Sequence, residues 1–145
     1  SFDPPTIGHV DIVNRALPLF DEIIVAIGHN SQKKYLFDLD KRLSWLNAIF
    51  ETEPRIQIGH YDGLTIQFCE EKNAQFIVRG VRNTTDFAFE RTIAQLNSTV
   101  SGNKIETVFL MASPEHSHIS STIVREIITN NGDYSQFVPK VVLAG

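Results

Sequence analysis

The first nine residues, Ser1-Phe2-Asp3-Pro4-Pro5-Thr6-Ile7-Gly8-His9, combine a hydroxyl, two prolines and a Thr-x-Gly-His run, a mixture that suits phosphate binding. Directly afterwards Val10, Val13, Leu17 and Phe20 recur at close to a helical period, which puts His9 at or near a helix N-terminus. Free amide N–H groups and the positive end of the helix dipole favour an anion there. Pro4 and Pro5 stiffen the approach by fixing their own φ angles, and Gly8 lets a bulky anion come close to the backbone. The His9 imidazole is then expected to point at that anion.

Three further stretches carry groups of the same kind. Arg79-Gly80-Val81-Arg82 reads as a strand-to-helix turn in which two guanidiniums flank a glycine. Both forks can hold phosphate bidentately, the plain alternative being two solvated arginines. Residues 113–122, followed by Arg125, bring hydroxyls and amides to a helix start that can cradle phosphates. Within that stretch His116 and His118 stand two apart, but no third His, Cys or carboxylate lies at ligand spacing and no metal site is expected. Lys33 follows Asn30-Ser31-Gln32 in a polar loop, where its ammonium can swing onto a phosphate; Lys34 reads as solvated surface, and His29 and His60 as peripheral.

The elements that must position these groups alternate. Residues 22–27 form a continuous apolar, β-rich run, as buried parallel strands do, and lead into the loop 28–34. Asp38 is expected to cap a helix to about residue 50, with Leu39, Leu43, Leu46 and Phe50 on one face, before a short strand over 55–60. A helix over 64–73 and a strand over 74–78 follow. Phe89, Ile93, Leu96 and Val100 mark another helical face, residues 105–111 another strand, and Ser120 or Ser121 caps a helix over 122–130 that Asn131-Gly132 ends. This β-α-β order predicts an α/β, doubly wound parallel sheet with helices on both faces. Ligands in such folds bind outside the C-terminal strand ends, so the Lys33, Arg79 and 113–121 loops are expected on one edge of one sheet.

Composition narrows the function classes. A chain of 145 residues is about one domain, and 42% hydrophobic content with 21% charged residues and no linker or repeat describes a compact globule. A net charge of -4 argues against non-specific nucleic-acid binding, so an anionic ligand must be met by local basic residues. The single cysteine, Cys69, excludes an internal disulfide and a cysteine-rich zinc site, and it reads as a core residue. No signal peptide, transmembrane span or lipidation motif is visible in this sequence, which makes the cytoplasm the expected compartment.

The opening motif resembles the T/H-x-G-H signature of the nucleotidylyltransferase superfamily, and its fuller Ser-Phe-Asp-Pro-x-Thr-x-Gly-His form is similar to the phosphopantetheine adenylyltransferase family. Arg79-Gly80-Val81-Arg82 followed by Asp86-Phe87-Ala88-Phe89-Glu90 resembles that family's Arg-Gly-x-Arg and Asp-Phe-x-Tyr-Glu block, with Phe89 where a tyrosine is usual. Ile119-Ser120-Ser121-Thr122 with Arg125 resembles the superfamily's second signature. The motifs occur in the family's order, and the resemblance extends to Pro139.

The resemblance implies a Rossmann-like nucleotidylyltransferase fold forming a single domain over 1–145, with a short apolar strand preceding Ser1 and a few residues following Gly145. It also implies a pantetheine-phosphate adenylyltransferase. ATP, with Mg²⁺ bound mainly through its phosphates, and 4'-phosphopantetheine would give dephospho-CoA and pyrophosphate, the penultimate step of coenzyme A biosynthesis. His9 and Lys33 would then meet the α-phosphoryl group in the transition state, Ser1 would orient the incoming phosphate, and Arg79, Lys33 and Thr65 would hold phosphopantetheine. The ATP site would comprise Ser1, Phe2, His9, Gly80, Val81, Arg82 and Glu90, together with His116, Ser117, His118, Ile119, Ser120, Ser121 and Thr122. A homohexamer, with dephospho-CoA or CoA as product or feedback ligand, is implied as well; neither nucleic acid nor membrane is an expected partner. Rival readings are a related transferase acting on nicotinamide mononucleotide or phosphocholine, and a nucleotide-binding module without turnover.

Overall fold

The computed structural model describes residues 2–145. In chain order the elements are α1 (Ile7–Ala16), β1 (Ile23–His29), α2 (Leu39–Phe50), β2 (Ile56–Asp62), α3 (Thr65–Glu71), β3 (Phe76–Val81), α4 (Thr84–Val100), β4 (Glu106–Met111), α5 (Ser121–Thr129) and α6 (Lys140–Leu143). Short 3₁₀ turns occupy Leu17–Leu19 and Pro114–His116.

Local chemistry sets most helix ends. The Asp38 carboxylate accepts the Lys41 N–H at 2.7 Å and starts α2, as expected. Asn83 does the same for α4 through the Asp86 N–H. Of the two candidate caps for α5 it is Ser120 whose hydroxyl accepts the Ile123 N–H. Past the end of α5, Asn131 takes a φ of 57°, the left-handed conformation that Asn tolerates better than most residues. Thr6 caps α1, so that helix begins two residues before His9.

β1 pairs in parallel with β2, from Ile23 opposite Ile56 to His29 opposite Asp62. β3 pairs in parallel with β4, from Phe76 opposite Glu106 to Val81 opposite Met111. The α/β class and the parallel pairing are thus as expected; among the described residues the strands pair as β1 with β2 and β3 with β4. Among the described residues no strand lies on the remaining edges of β1 and β3, and residues of both strands line one cavity of about 1000 Å³. The Arg-Gly-Val-Arg turn needs correction too: Arg79, Gly80 and Val81 are ladder residues opposite Phe109, Leu110 and Met111. A ladder satisfies backbone groups whatever the side chains are, so pairing overrides the local turn signal of glycine beside arginine. Gly80 packs closely on α1: a Cβ there would lie 3.0 Å from Ile12 Cγ1, so that side chain would have to shift.

Val25, Ile27, Leu46 and Phe50 form the main core between β1 and α2, with Phe2, Val10 and Val13 packed on it. A second cluster joins Trp45 to Val124, Val138 and Val142 and so docks the C-terminal segment. Cys69 is buried with Ile66 and Ile105, as its apolar setting suggested. The α4 face, by contrast, covers no core: that helix has no buried residue, and Phe89, Leu96 and Val100 are 67%, 58% and 65% exposed. No helix among the described residues is long and apolar enough to cross a membrane.

Candidate active site

At the start of α1 the Thr6 hydroxyl accepts the His9 N–H at 3.3 Å, while the Thr6 N–H donates to His9 Nδ1 at 3.0 Å. This reciprocal capping box turns the imidazole back onto its own helix start. Because Nδ1 accepts a hydrogen bond, the ring proton resides on Nε2, which is left as a donor toward the cavity that His9 lines. Burial lowers the His9 pKa from 6.5 to about 4, with the Arg79 and Arg82 charges acting in the same direction. At neutral pH His9 is therefore an uncharged hydrogen-bond donor.

The expected free amides are partly used. The Ile7 N–H goes to the Phe137 carbonyl at 3.0 Å and the His9 N–H to Thr6, so the anion-binding capacity of α1 reduces to Gly8 N–H and His9 Nε2–H. At α5 the Ile123 N–H is capped by Ser120, which leaves the Ser121 and Thr122 amides available at a helix N-terminus. The Ser121 hydroxyl donates to the Pro4 carbonyl at 2.8 Å, so its side chain braces residues 3–6 against the start of α5.

The arginines arrive already paired. Arg79 donates through Nε and Nη2 to both oxygens of Glu90, at 2.9 and 2.7 Å, and that hydrogen-bonded carboxylate raises the Arg79 pKa. Arg82 donates to both oxygens of Asp86 at 2.9 and 3.3 Å. Each fork keeps further N–H groups for a phosphate, and its direction is set before any ligand arrives. Lys33 lies in a loop closed by its own N–H to the Asn30 carbonyl; its ammonium has no ion pair among the described residues and sits 5.8 Å from the Tyr35 ring centroid. Tyr35 in turn accepts the Asn30 N–H at 3.1 Å, and its ring lies beneath the buried Arg42 guanidinium at 4.1 Å.

One cavity brings together Phe2, His9, Lys33, Thr65, Arg79 and Gly80 with Arg82, Glu90, His116, Ile119, Ser120, Ser121 and Thr122. Three expected residues stand apart from its lining. Val81 is buried at 2% exposure, because the alternation of β3 turns it away from its neighbour Gly80. Ser117 donates its hydroxyl to the Pro114 carbonyl, and His118 meets the Phe137 ring edge-on at 6.4 Å. Ser1 lies outside the described residues.

Several participants escaped the sequence reading. The Tyr61 hydroxyl is 2.8 Å from Thr65 Oγ1, its ring stacks on Phe68 at 4.7 Å, and both rings line the cavity. The Asp11 carboxylate joins α1 to the 113–116 turn by accepting from Arg15 and from the Ser113 hydroxyl. Although desolvation opposes it, these bonds hold the Asp11 pKa below the ordinary carboxylate value. Asp3 accepts the Leu36 and Phe37 N–H groups. The Asp11–Arg15 and Tyr61–Thr65 pairs are each four residues apart and left a local trace; the Asp3 and Ser113 partnerships are remote in sequence.

A cytidylyltransferase-like family model matches residues 1–127. Proteins named phosphopantetheine adenylyltransferase match almost end to end: that of Christiangramia forsetii is 51% identical over 142 residues, 98% of this chain and 93% of its own. The chain belongs to the phosphopantetheine adenylyltransferase family. The protein of that name from Flavobacterium psychrophilum is also 51% identical over 142 residues, and that from Leuconostoc citreum is 44% identical over 99% of this chain and 90% of its own. The three motifs that resemble the family meet at one cavity, which takes a helix start from two of them and paired arginines from the third.

Proposed function

We propose that this chain transfers the adenylyl group of ATP, taken up as its Mg²⁺ complex, to 4'-phosphopantetheine, giving dephospho-CoA and pyrophosphate. The observation that carries this reading is the convergence of His9, Lys33, Arg79 and the α5 N-terminus on one cavity. A phosphate oxygen of the acceptor attacks the α-phosphorus, and the bond to the pyrophosphate oxygen breaks. The acceptor phosphate is largely dianionic at neutral pH, its second pKa being about 6, so no general base is needed. What the protein supplies is alignment of two anions and donors placed where charge grows.

In this reading His9 Nε2–H and the Lys33 ammonium meet the α-phosphoryl oxygens, the Ser121 and Thr122 amides and Arg82 hold the leaving phosphates, and Arg79 holds the acceptor phosphate. Ser1 orients that phosphate, and Tyr61 with Thr65 walls the acceptor arm. The compartment is the cytoplasm, and CoA would compete in the same cleft as a feedback ligand. We further place the chain in a homohexamer; the uncovered apolar stripe of α4, with Phe89, Leu96 and Val100 exposed, supports association through that helix.

Pyrophosphate release with Mg·ATP and either 4'-phosphopantetheine or nicotinamide mononucleotide tests the reaction. Release with phosphopantetheine alone is expected. Release with nicotinamide mononucleotide instead would transfer the chain to a sister activity, and tight ATP binding without release under either condition would make it a binding module.

A further inference from the structure

We infer that Asp3 is a positioning residue for the transfer step, setting where the Lys33 ammonium stands relative to the His9 imidazole. This rests on the reaction proposed above. Asp3 is 3% exposed, and its two carboxylate oxygens point to one neighbouring loop: Oδ2 accepts the Leu36 N–H and Oδ1 the Phe37 N–H, both at 2.9 Å. Those amides lie three and four residues after Lys33. On its other side the Asp3 carbonyl accepts Arg125 Nη1 at 2.7 Å, and the neighbouring Pro4 carbonyl accepts the Ser121 hydroxyl. Residues 3–6 thus touch the lysine loop, the start of α5 and, through Thr6, the His9 ring.

The division of labour within Asp3 makes the inference testable. Its backbone carbonyl takes the short bond from α5, and its carboxylate takes both amides of the lysine loop, with Oδ2 also 3.9 Å from Arg125 Nη1. A carboxylate accepts at both oxygens, whereas the amide of asparagine would place an NH₂ group against a backbone N–H, donor facing donor. Asp3→Asn therefore frees the Lys33 loop and keeps the 2.7 Å bond from Arg125 to the Asp3 carbonyl, losing only the longer ion pair to that guanidinium. A displacement of about 1 Å at a reacting group costs on the order of 10²-fold in rate.

The experiment measures kcat, KM and ATP affinity for the unaltered protein, Asp3→Asn, Lys33→Ala and the double variant. Expected is a fall in kcat of about 30- to 100-fold for Asp3→Asn with ATP affinity within about threefold. In the Lys33→Ala background the same change should cost less than about threefold, because the group that it positions is gone. A kcat near that of the unaltered protein, or a full additional loss on top of Lys33→Ala, overturns the inference while leaving the reaction standing. An unaltered protein that releases no pyrophosphate refutes the reaction and this inference with it. Should Asp3→Asn not fold, Leu36→Pro removes the Oδ2 bond at a side chain that is 40% exposed and must show the same coupling to Lys33.

Discussion

Replacing His9 by asparagine separates the two duties of that residue. Nδ1 accepts the Thr6 N–H at 3.0 Å, and Nε2 is left to donate. Asparagine Oδ1 reaches the position of Nδ1 and keeps the capping box, yet nothing in its side chain reaches as far as Nε2. His9→Ala removes both. Loss of one capping interaction costs about 1 kcal/mol of stability, whereas loss of a preorganised donor aimed at developing charge costs roughly 10²–10³ in kcat, or about 2.7–4 kcal/mol of barrier. Urea denaturation should thus leave His9→Asn within ~0.5 kcal/mol of the unaltered protein and His9→Ala about 1 kcal/mol below it. Single-turnover chemistry should fall by the same 10²–10³ in both variants, with nucleotide Kd changed only several-fold. If His9→Asn turns over within threefold of the unaltered protein, the donor role of Nε2 is wrong. If the loss appears wholly in nucleotide Kd, His9 is a binding group rather than a transition-state one.

The same residue predicts a pH dependence of stability. The folded pKa of about 4 against 6.5 in the unfolded chain means that the folded state binds fewer protons between those values, so stability rises with pH across that window. Acidification from pH 6.5 toward 4 should remove on the order of 2–3 kcal/mol, and His9→Asn should flatten that part of the denaturation profile. At Gly28 an added Cβ would lie 2.9 Å from the Tyr61 hydroxyl oxygen; Gly28→Ala should push Tyr61 off Thr65 and raise the acceptor KM several-fold with kcat nearly unchanged, and an unaltered KM would remove Tyr61 from the acceptor wall. Leu96→Glu on the exposed α4 stripe should shift the mass seen by light scattering toward the 16.3 kDa chain, while an unchanged assembly would move the contact to another face.

The residues themselves determined what depends on short-range chemistry. Asp38 and Ser120 capped where their side chains predict because a cap needs only a backbone N–H two or three positions away. The three motifs were legible as phosphate chemistry for the same reason. Tertiary structure decided the rest. Whether Arg79-Gly80-Val81 was turn or strand depended on β4, whose Phe109, Leu110 and Met111 offer the ladder from far along the chain. The apolar stripe of α4 was correctly periodic, but periodicity says that a face is apolar without saying what covers it. The site turned on such long-range facts as well: the Phe137 carbonyl takes one α1 amide, Asp3 takes the Leu36 and Phe37 amides, and burial beside Arg79 and Arg82 keeps His9 neutral. Hydrogen bonding and desolvation act through space, so only the folded chain could settle which groups remained free to meet a phosphate.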